Sequence, residues 1–217
     1  ILLGTLTLAQ ILRASTSWSH VLLGSVAVGV VFALVLGHTS SELIGALATE
    51  VTKVLTQLRG ESQLSGEELD KLQVALVPTL TGVMASSLQV TCLLCLMLAR
   101  YWQASLYNPG GFGREFRSLR LAPAVAVILL LGAVVVPALE VQAAVLGPLC
   151  SVPLIIAGVA LGHGLIALKR LAGGWLVGLY LAVLLLGNLI CLLAVVDSLF
   201  DFRGRLARRQ GSTNGEG

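Results

Sequence analysis

The sequence predicts an all-α, polytopic bundle of transmembrane helices with about six hydrophobic segments, and three observations carry that prediction. Of 217 residues, 56% are hydrophobic and 12% are charged, against about 25% charged in an ordinary soluble domain. The mean hydropathy is +0.93, so the apolar residues exceed what one core of this size can hide from water. With charges as punctuation, six apolar runs emerge: Ile1 to Leu12, Val21 to Gly37, Val74 to Ala99, Leu121 to Ala138, Val141 to Leu168 and Leu171 to Val196. The composition excludes disorder except at the tail. A secreted disulfide scaffold is also disfavoured, because Cys92, Cys95 and Cys191 lie inside apolar runs and Cys150 lies near the end of another.

A helix rises about 1.5 Å per residue and the hydrocarbon core is about 30 Å thick, so roughly 20 residues are needed to cross. The first run is incomplete and opens on Ile1 rather than methionine, with neither the basic start nor the small-residue cleavage site of a signal peptide. It reads as part of a longer or processed chain. Val21 to Gly37 is marginal and extends through Trp18, a residue type favoured at the membrane interface. The third, fifth and sixth runs are long enough to cross. The fourth is the short one, bracketed by Pro123 and Pro137, and reaches only about 22 Å as one helix.

Between the second and third runs, residues 38 to 73 predict an amphipathic helical hairpin outside the bilayer. Leu43, Leu47, Val51, Val54, Leu55 and Leu58 recur at helical spacing behind Ser40 or Ser41 as N-cap. The second helix restarts at Ser65-Gly66-Glu67-Glu68, a capping-box pattern, and runs into the third span through Pro78. Its first reading is a hairpin lying on the bilayer surface; a lid over a site is the alternative. Residues 1 to 210 form a single transmembrane domain, and 211 to 217 read as a disordered tail.

Short loops rich in Lys and Arg stay cytoplasmic, which places Arg100, Arg114, Arg117 and Arg120 inside. Six full crossings, the reading taken, leave that rule tied, because the basic tail from Arg203 to Arg209 falls on the opposite side. A re-entrant fourth run would bring the tail inside.

Two motifs gather the unusual residues. In Arg100 to Arg120, Tyr101, Trp102 and Tyr107 suit the headgroup level, Asn108-Pro109-Gly110-Gly111 forces a turn, and Phe112, Phe116 and Leu119 against Arg114, Arg117 and Arg120 predict a short interfacial helix. An aromatic anchor with inside charges explains each residue type. The competing reading is an anion seat, since Arg pairs bidentately with phosphate; no Gly-Lys-Ser/Thr follows, so this is not a P-loop. In the second motif, Asp197 and Asp201 share a helical face at the membrane boundary, with Arg203 and Arg205 close behind. This is either a charged helix end or a deep carboxylate, Asp197, that pairs with an arginine of the first motif or takes a proton or cation.

These two motifs, with the hydrophobic layout between them, resemble the bacterial inner-membrane family named after YybS. That family is more distantly similar to the substrate-binding S-components of energy-coupling-factor vitamin transporters and to a rod-shape membrane protein of the MreD type. The resemblance implies a multi-pass inner-membrane location and an S-component-like bundle, and transfers no ligand residues, because fold does not carry function.

The remaining candidates are single residues. His163, between Gly162 and Gly164, is a structural hydrogen bonder or a proton relay. Glu140 lies in a turn, Cys92 and Cys95 read as inert packing thiols, and Gly158-x-x-x-Gly162 and Gly174-x-x-x-Gly178 have close-packing spacing. No hydrolase motif or nucleic-acid module is present, and no cofactor or metal is expected.

The functional expectation is therefore a non-enzymatic membrane protein whose bundle encloses a small-ligand site, with Gln89, Thr91, His163 and Asn188 as intramembrane polar residues. The alternative is a scaffold binding membrane-protein partners through the hairpin and the Arg-rich loop. An enzyme acting on lipid would need Asp197 and His163 with arginines around a lipid-sized cleft.

Overall fold

The computed structural model describes residues 1–59 and 66–206. The capping box needs Ser65, which lies outside the described residues, as do Arg208, Arg209 and the tail 211–217. Every regular element among the described residues is helical: α1 (Leu2–Ser15), α2 (Trp18–Thr39), α3 (Ser41–Arg59), α4 (Gly66–Tyr107), α5 (Gly111–Ser118), α6 (Pro123–Leu130), α7 (Val136–Leu139), α8 (Leu146–Leu168), α9 (Gly174–Leu185) and α10 (Gly187–Phe200). A π turn (Leu131–Val135) joins α6 to α7, and a 3-10 turn (Val141–Val145) leads into α8.

Among the described residues, three helices are long and apolar enough to cross a membrane: Trp18–Thr39, Asp70–Tyr107 and Val141–Leu168. Two bent pairs raise this to at most five, Gly111–Ser118 with Pro123–Leu139 at 66° and Gly174–Leu185 with Gly187–Phe200 at 108°. Set against the six segments expected, the described residues thus hold three to five candidate spans by length and composition. The first run forms only the 14-residue α1, which spans about 21 Å.

The larger correction concerns the sixth run. It leaves helical geometry at Leu186 (φ −128°, ψ 36°), just ahead of Gly187 and Asn188. α9 runs antiparallel to α8, with Leu179 against Gly162 and Tyr180 against His163. After the 108° bend, α10 leads back toward the same end: Cys191 faces Ser151, Ile190 packs on Gly158, and Arg203 reaches Gly164. Both ends of the run therefore lie at one end of the bundle. The fourth run does not reverse. It leaves the end marked by Ser19, whose Oγ accepts the Ala122 N–H at 3.0 Å, and continues to Leu139 beside the 3-10 turn that α4 meets at Gly82.

This geometry sorts the charges. Among the described residues, Arg13, Arg100, Arg114, Arg117, Arg120, Lys169, Arg170, Arg203 and Arg205 gather at one end, whereas Lys53 and Lys71 lie at the other.

The buried residues are mostly apolar, and the few polar ones include a side-chain amide at the centre of the bundle. Gln89 of α4 is fully buried and donates from Nε2 to Ser25 Oγ of α2 at 2.9 Å and to the Leu149 carbonyl of α8 at 3.2 Å. Gly29 admits it, since a Cβ there would lie 2.9 Å from the Gln89 amide oxygen. One buried amide thus ties three helices, which a low-dielectric interior strengthens. Thr91 bonds the carbonyl one turn back at Ser87, and Asn188 is exposed at the break. Of the intramembrane polar residues, Gln89 is taken up by this core contact, whereas His163 lines the groove described below.

At the opposite end α4, 42 residues long, extends about 63 Å and overshoots the apolar layer. α3 folds back on it, burying Ile44 and Ala48 and leaving Leu43, Leu47 and Val54 exposed. Residues 41–59 and the first part of α4 from Gly66 are thus both helical and pack on each other.

Candidate functional site

The site is organised by α5, the short helix of the first motif. Asn108 to Gly111 make the predicted turn, with Gly110 in the left-handed region (φ 76°) and the Gly111 N–H bonded to the Asn108 carbonyl at 2.8 Å. Only a glycine adopts that φ at no steric cost. The turn lays α5 across the ends of α4 and α8, with Phe112 and Phe116 inward and Arg114, Arg117 and Ser118 outward. No residue of α5 is fully buried, so polar contacts must hold it.

Glu115 supplies one set. One carboxylate oxygen accepts the Trp18 indole N–H, and the other accepts Arg100 Nη2 at 2.7 Å. Arg100 also donates to Gln103 at 2.6 Å. The second motif supplies the other set. Arg203 donates from Nε and Nη2 to Asp197 Oδ2 at 3.1 and 2.8 Å, from Nη1 to the Arg117 carbonyl at 2.7 Å, and from Nη2 to the Leu119 carbonyl at 2.7 Å. One guanidinium thus neutralises a buried carboxylate and satisfies the unpaired C-terminal carbonyls of α5. Arg120 mirrors it, pairing with Asp201 at 2.7 Å and donating to the Ser198 carbonyl at 3.0 Å.

The two motifs therefore meet, although the pairing differs from the expectation. Asp197 takes Arg203 of its own motif rather than an arginine of the first. Asp201 reaches across to Arg120 instead of forming a helical pair with Arg205. The reason is local: α10 ends at Phe200, and Asp201 turns into the left-handed region (φ 51°) as its C-cap, so Asp197 and Asp201 do not continue one helical face.

Beside this latch lies an open groove of about 880 Å³ between α4, α5, α8 and α9. Its walls are apolar, including Leu94, Met97, Ile156 and Leu176, and an aromatic series crosses it. Tyr101 packs edge-on to Phe112 at 6.2 Å, Phe112 stacks on Phe116 at 6.0 Å, and His163 stands edge-on to Phe116 at 5.5 Å and to Tyr180 at 5.7 Å. His163 Nδ1 lies 3.0 Å from the Val159 carbonyl and Nε2 lies 3.4 Å from the Tyr180 hydroxyl. The carbonyl is an acceptor only, so Nδ1 carries the proton and Nε2 accepts from the phenol. Arg117 and Arg170 stand at the polar rim.

Of the sequence candidates, Arg117 and His163 line the groove, Arg114 and Arg203 line an adjoining cleft, and Arg100, Arg120, Asp197 and Asp201 form the supporting ion pairs. Asn108 accepts from Arg114 at 3.3 Å. Trp102 and Tyr107 are exposed and line none of these cavities, as interfacial anchors would be. Asp197 is not among the residues that line the groove. Sequence reasoning passed over Glu115, Trp18, Tyr180 and Arg170. Glu115 carried a readable signal as the only acid between Arg100 and Arg120; Tyr180 carried none. Among the described residues no group of three metal-ligating side chains forms.

No protein-family model, curated protein or solved structure matches the chain.

Proposed function

We propose that the chain is a multi-pass membrane protein, cytoplasmic at its basic end, whose groove between α4, α5, α8 and α9 binds a small amphipathic molecule. The role is binding, or an accessory part in transport, rather than catalysis. One observation carries the reading: an apolar groove of about 880 Å³ holds a hydrogen-bonded His163 and Tyr180 on its wall and arginines at one rim. Its size falls within the roughly 300 to 1,000 Å³ of ligand pockets, and convergent polar groups on apolar walls are their usual composition. The charge sorting supports the orientation, since basic residues concentrate on the cytoplasmic side of short-looped membrane proteins. A bacterial inner membrane is the setting implied by the YybS-like layout, and the S-component likeness is carried by that resemblance alone.

The test is native mass spectrometry of the protein in nanodiscs after mild delipidation. The wild type should retain an adduct that Ala167→Trp, a substitution at an exposed groove position, removes without lowering the melting temperature. An adduct unaffected by Ala167→Trp is bound elsewhere and ends the reading. For orientation, Ser118→Cys and Phe202→Cys should both react with an impermeant maleimide from the cytoplasmic face, and Ser40→Cys from the opposite face.

A second reading, a scaffold for membrane-protein partners, is favoured by the exposed Leu43, Leu47 and Val54 on α3. It requires that deleting 41 to 73 abolish partner capture while the groove still binds.

A further inference from the structure

The apolar groove does not end at α5. Arg117 and Ala167 also line a shallower cleft of about 420 Å³, whose other walls are Arg114, Ser118, Leu168 and Arg203. Among the described residues, no acidic side chain lines this cleft. Of its arginines, Arg203 is offset by Asp197. Arg114 and Arg117 have only neutral acceptors, the Asn108 amide oxygen at 3.3 Å and the Gly113 carbonyl at 2.8 Å. They sit three residues apart on α5, so their guanidinium groups stand on one face with donors to spare.

Across the groove, Arg170 adds a third cation and an unusual backbone. It follows the end of α8 in the left-handed region (φ 50°), a conformation unfavourable for a non-glycine residue. Glycine commonly fills such a position. Here an arginine does, and its side chain borders the groove. Strain held at a binding rim is a pointer to function.

Resting on the reading of the groove as a ligand site, we propose that its occupant is an anionic glycerophospholipid. Its phosphate sits between Arg114 and Arg117, with Arg170 facing the headgroup, and its acyl chains lie along Phe112, Phe116 and Ile156. The charge balance selects the class. A zwitterionic lipid brings no net charge to a cleft that has uncompensated cations, and a water-soluble anion gains nothing from the apolar wall that continues it. Arginine offers phosphate a bidentate fork. His163 and Tyr180, bonded to each other, give the chains a wall without an unsatisfied donor.

The experiment uses the full chain in nanodiscs containing equal amounts of phosphatidylglycerol and phosphatidylcholine, one of the two carrying a photoactivatable acyl chain in each run. Labelled peptides are mapped by mass spectrometry. The expected result is labelling of 94 to 117 and 156 to 180 by phosphatidylglycerol about tenfold above phosphatidylcholine, the scale that two membrane-facing cations provide. Arg114→Gln with Arg117→Gln should abolish that preference, and Arg114→Lys with Arg117→Lys should restore most of it. Both residues are exposed, so the fold survives either pair. Equal groove labelling by the two lipids overturns the anionic-lipid proposal while leaving the groove as a ligand site. So does a preference unchanged by the glutamine pair, or one erased by inorganic phosphate alone. Labelling of the groove by neither lipid overturns the proposal and the reading beneath it together.

Discussion

At one end of the bundle, Lys53 pairs with Glu50 through side chains 61% and 65% exposed; at the other, Arg203 pairs with Asp197 through side chains 13% and 2% exposed. The distances, 2.7 and 2.8 Å, are nearly equal. What differs is what each pair connects. Lys53 and Glu50 lie three residues apart on α3 and join nothing else, whereas Arg203 links α10 to both the Arg117 and Leu119 carbonyls behind α5. Proximity in sequence makes an ion pair easy to read and structurally slight. Burial and a second element make it consequential.

Breaking the buried pair is the sharpest probe of that contrast. Asp197→Ala leaves the Arg203 guanidinium without its carboxylate, and loss of one partner of a buried pair costs about 3 to 5 kcal/mol. Thermal unfolding in detergent should show a drop of many degrees, and Arg203→Met should lower the melting temperature further, since it also removes the donor to the Arg117 and Leu119 carbonyls. Removing both, as Asp197→Leu with Arg203→Met, often restores a buried site. In this protein it should restore only part, because the Arg117 and Leu119 carbonyls lose their donor as well. Full recovery would show that the pair, rather than its hold on α5, sets the stability.

The second attachment of α5 is smaller in effect. Trp18→Phe keeps the ring in its buried place and removes the N–H that Glu115 accepts. A hydrogen bond to a charged group contributes about 1.5 to 3 kcal/mol, and Glu115 retains Arg100, so the loss should fall near the lower figure. A double-mutant cycle with Glu115→Ala measures it; a coupling near zero would leave Arg203 and the Arg100 pair to hold α5.

Much of this architecture was legible from residue pattern, and the part that was not has a physical reason. The runs beginning at Val21, Val74 and Val141 became the three long apolar helices because hydropathy reports directly on the need to satisfy every backbone group in lipid. The same measure is blind to direction. Leu171 to Val196 is as apolar as a crossing, yet beside Gly187 and Asn188 the chain breaks at Leu186 and bends by 108°. The site was half legible. Asp197, Arg203 and the Arg100 to Arg120 block stood out as charges in an apolar chain, but the acceptors that join them are backbone carbonyls, which no side chain advertises. Asp201 misled for a related reason: four residues from both Asp197 and Arg205, it suggested one helix, while its left-handed backbone ends that helix.

Arg170 allows the rim to be separated from the frame. Arg170→Gly removes a strained left-handed arginine and should raise stability by about 1 kcal/mol, visible as a higher melting temperature. The same substitution removes a cation from the groove and should weaken the phosphatidylglycerol preference. Opposite changes in stability and binding separate a residue kept for its ligand from one kept for the fold; equal losses in both would make Arg170 part of the frame.

The smallest effect belongs to the exposed end. Lys53→Ala removes an ion pair in which both side chains face solvent, and such helical pairs contribute about 0.3 to 0.5 kcal/mol. Alanine has a helix propensity at least as favourable as lysine, which offsets part of that loss, so the melting temperature should scarcely move. A substantial drop would mean that the α3 face around Lys53 is covered in the membrane, by headgroups or by a partner, and that this end is occupied rather than free. The contrast between the two ends would then lie in what covers each one and no longer in how each is built.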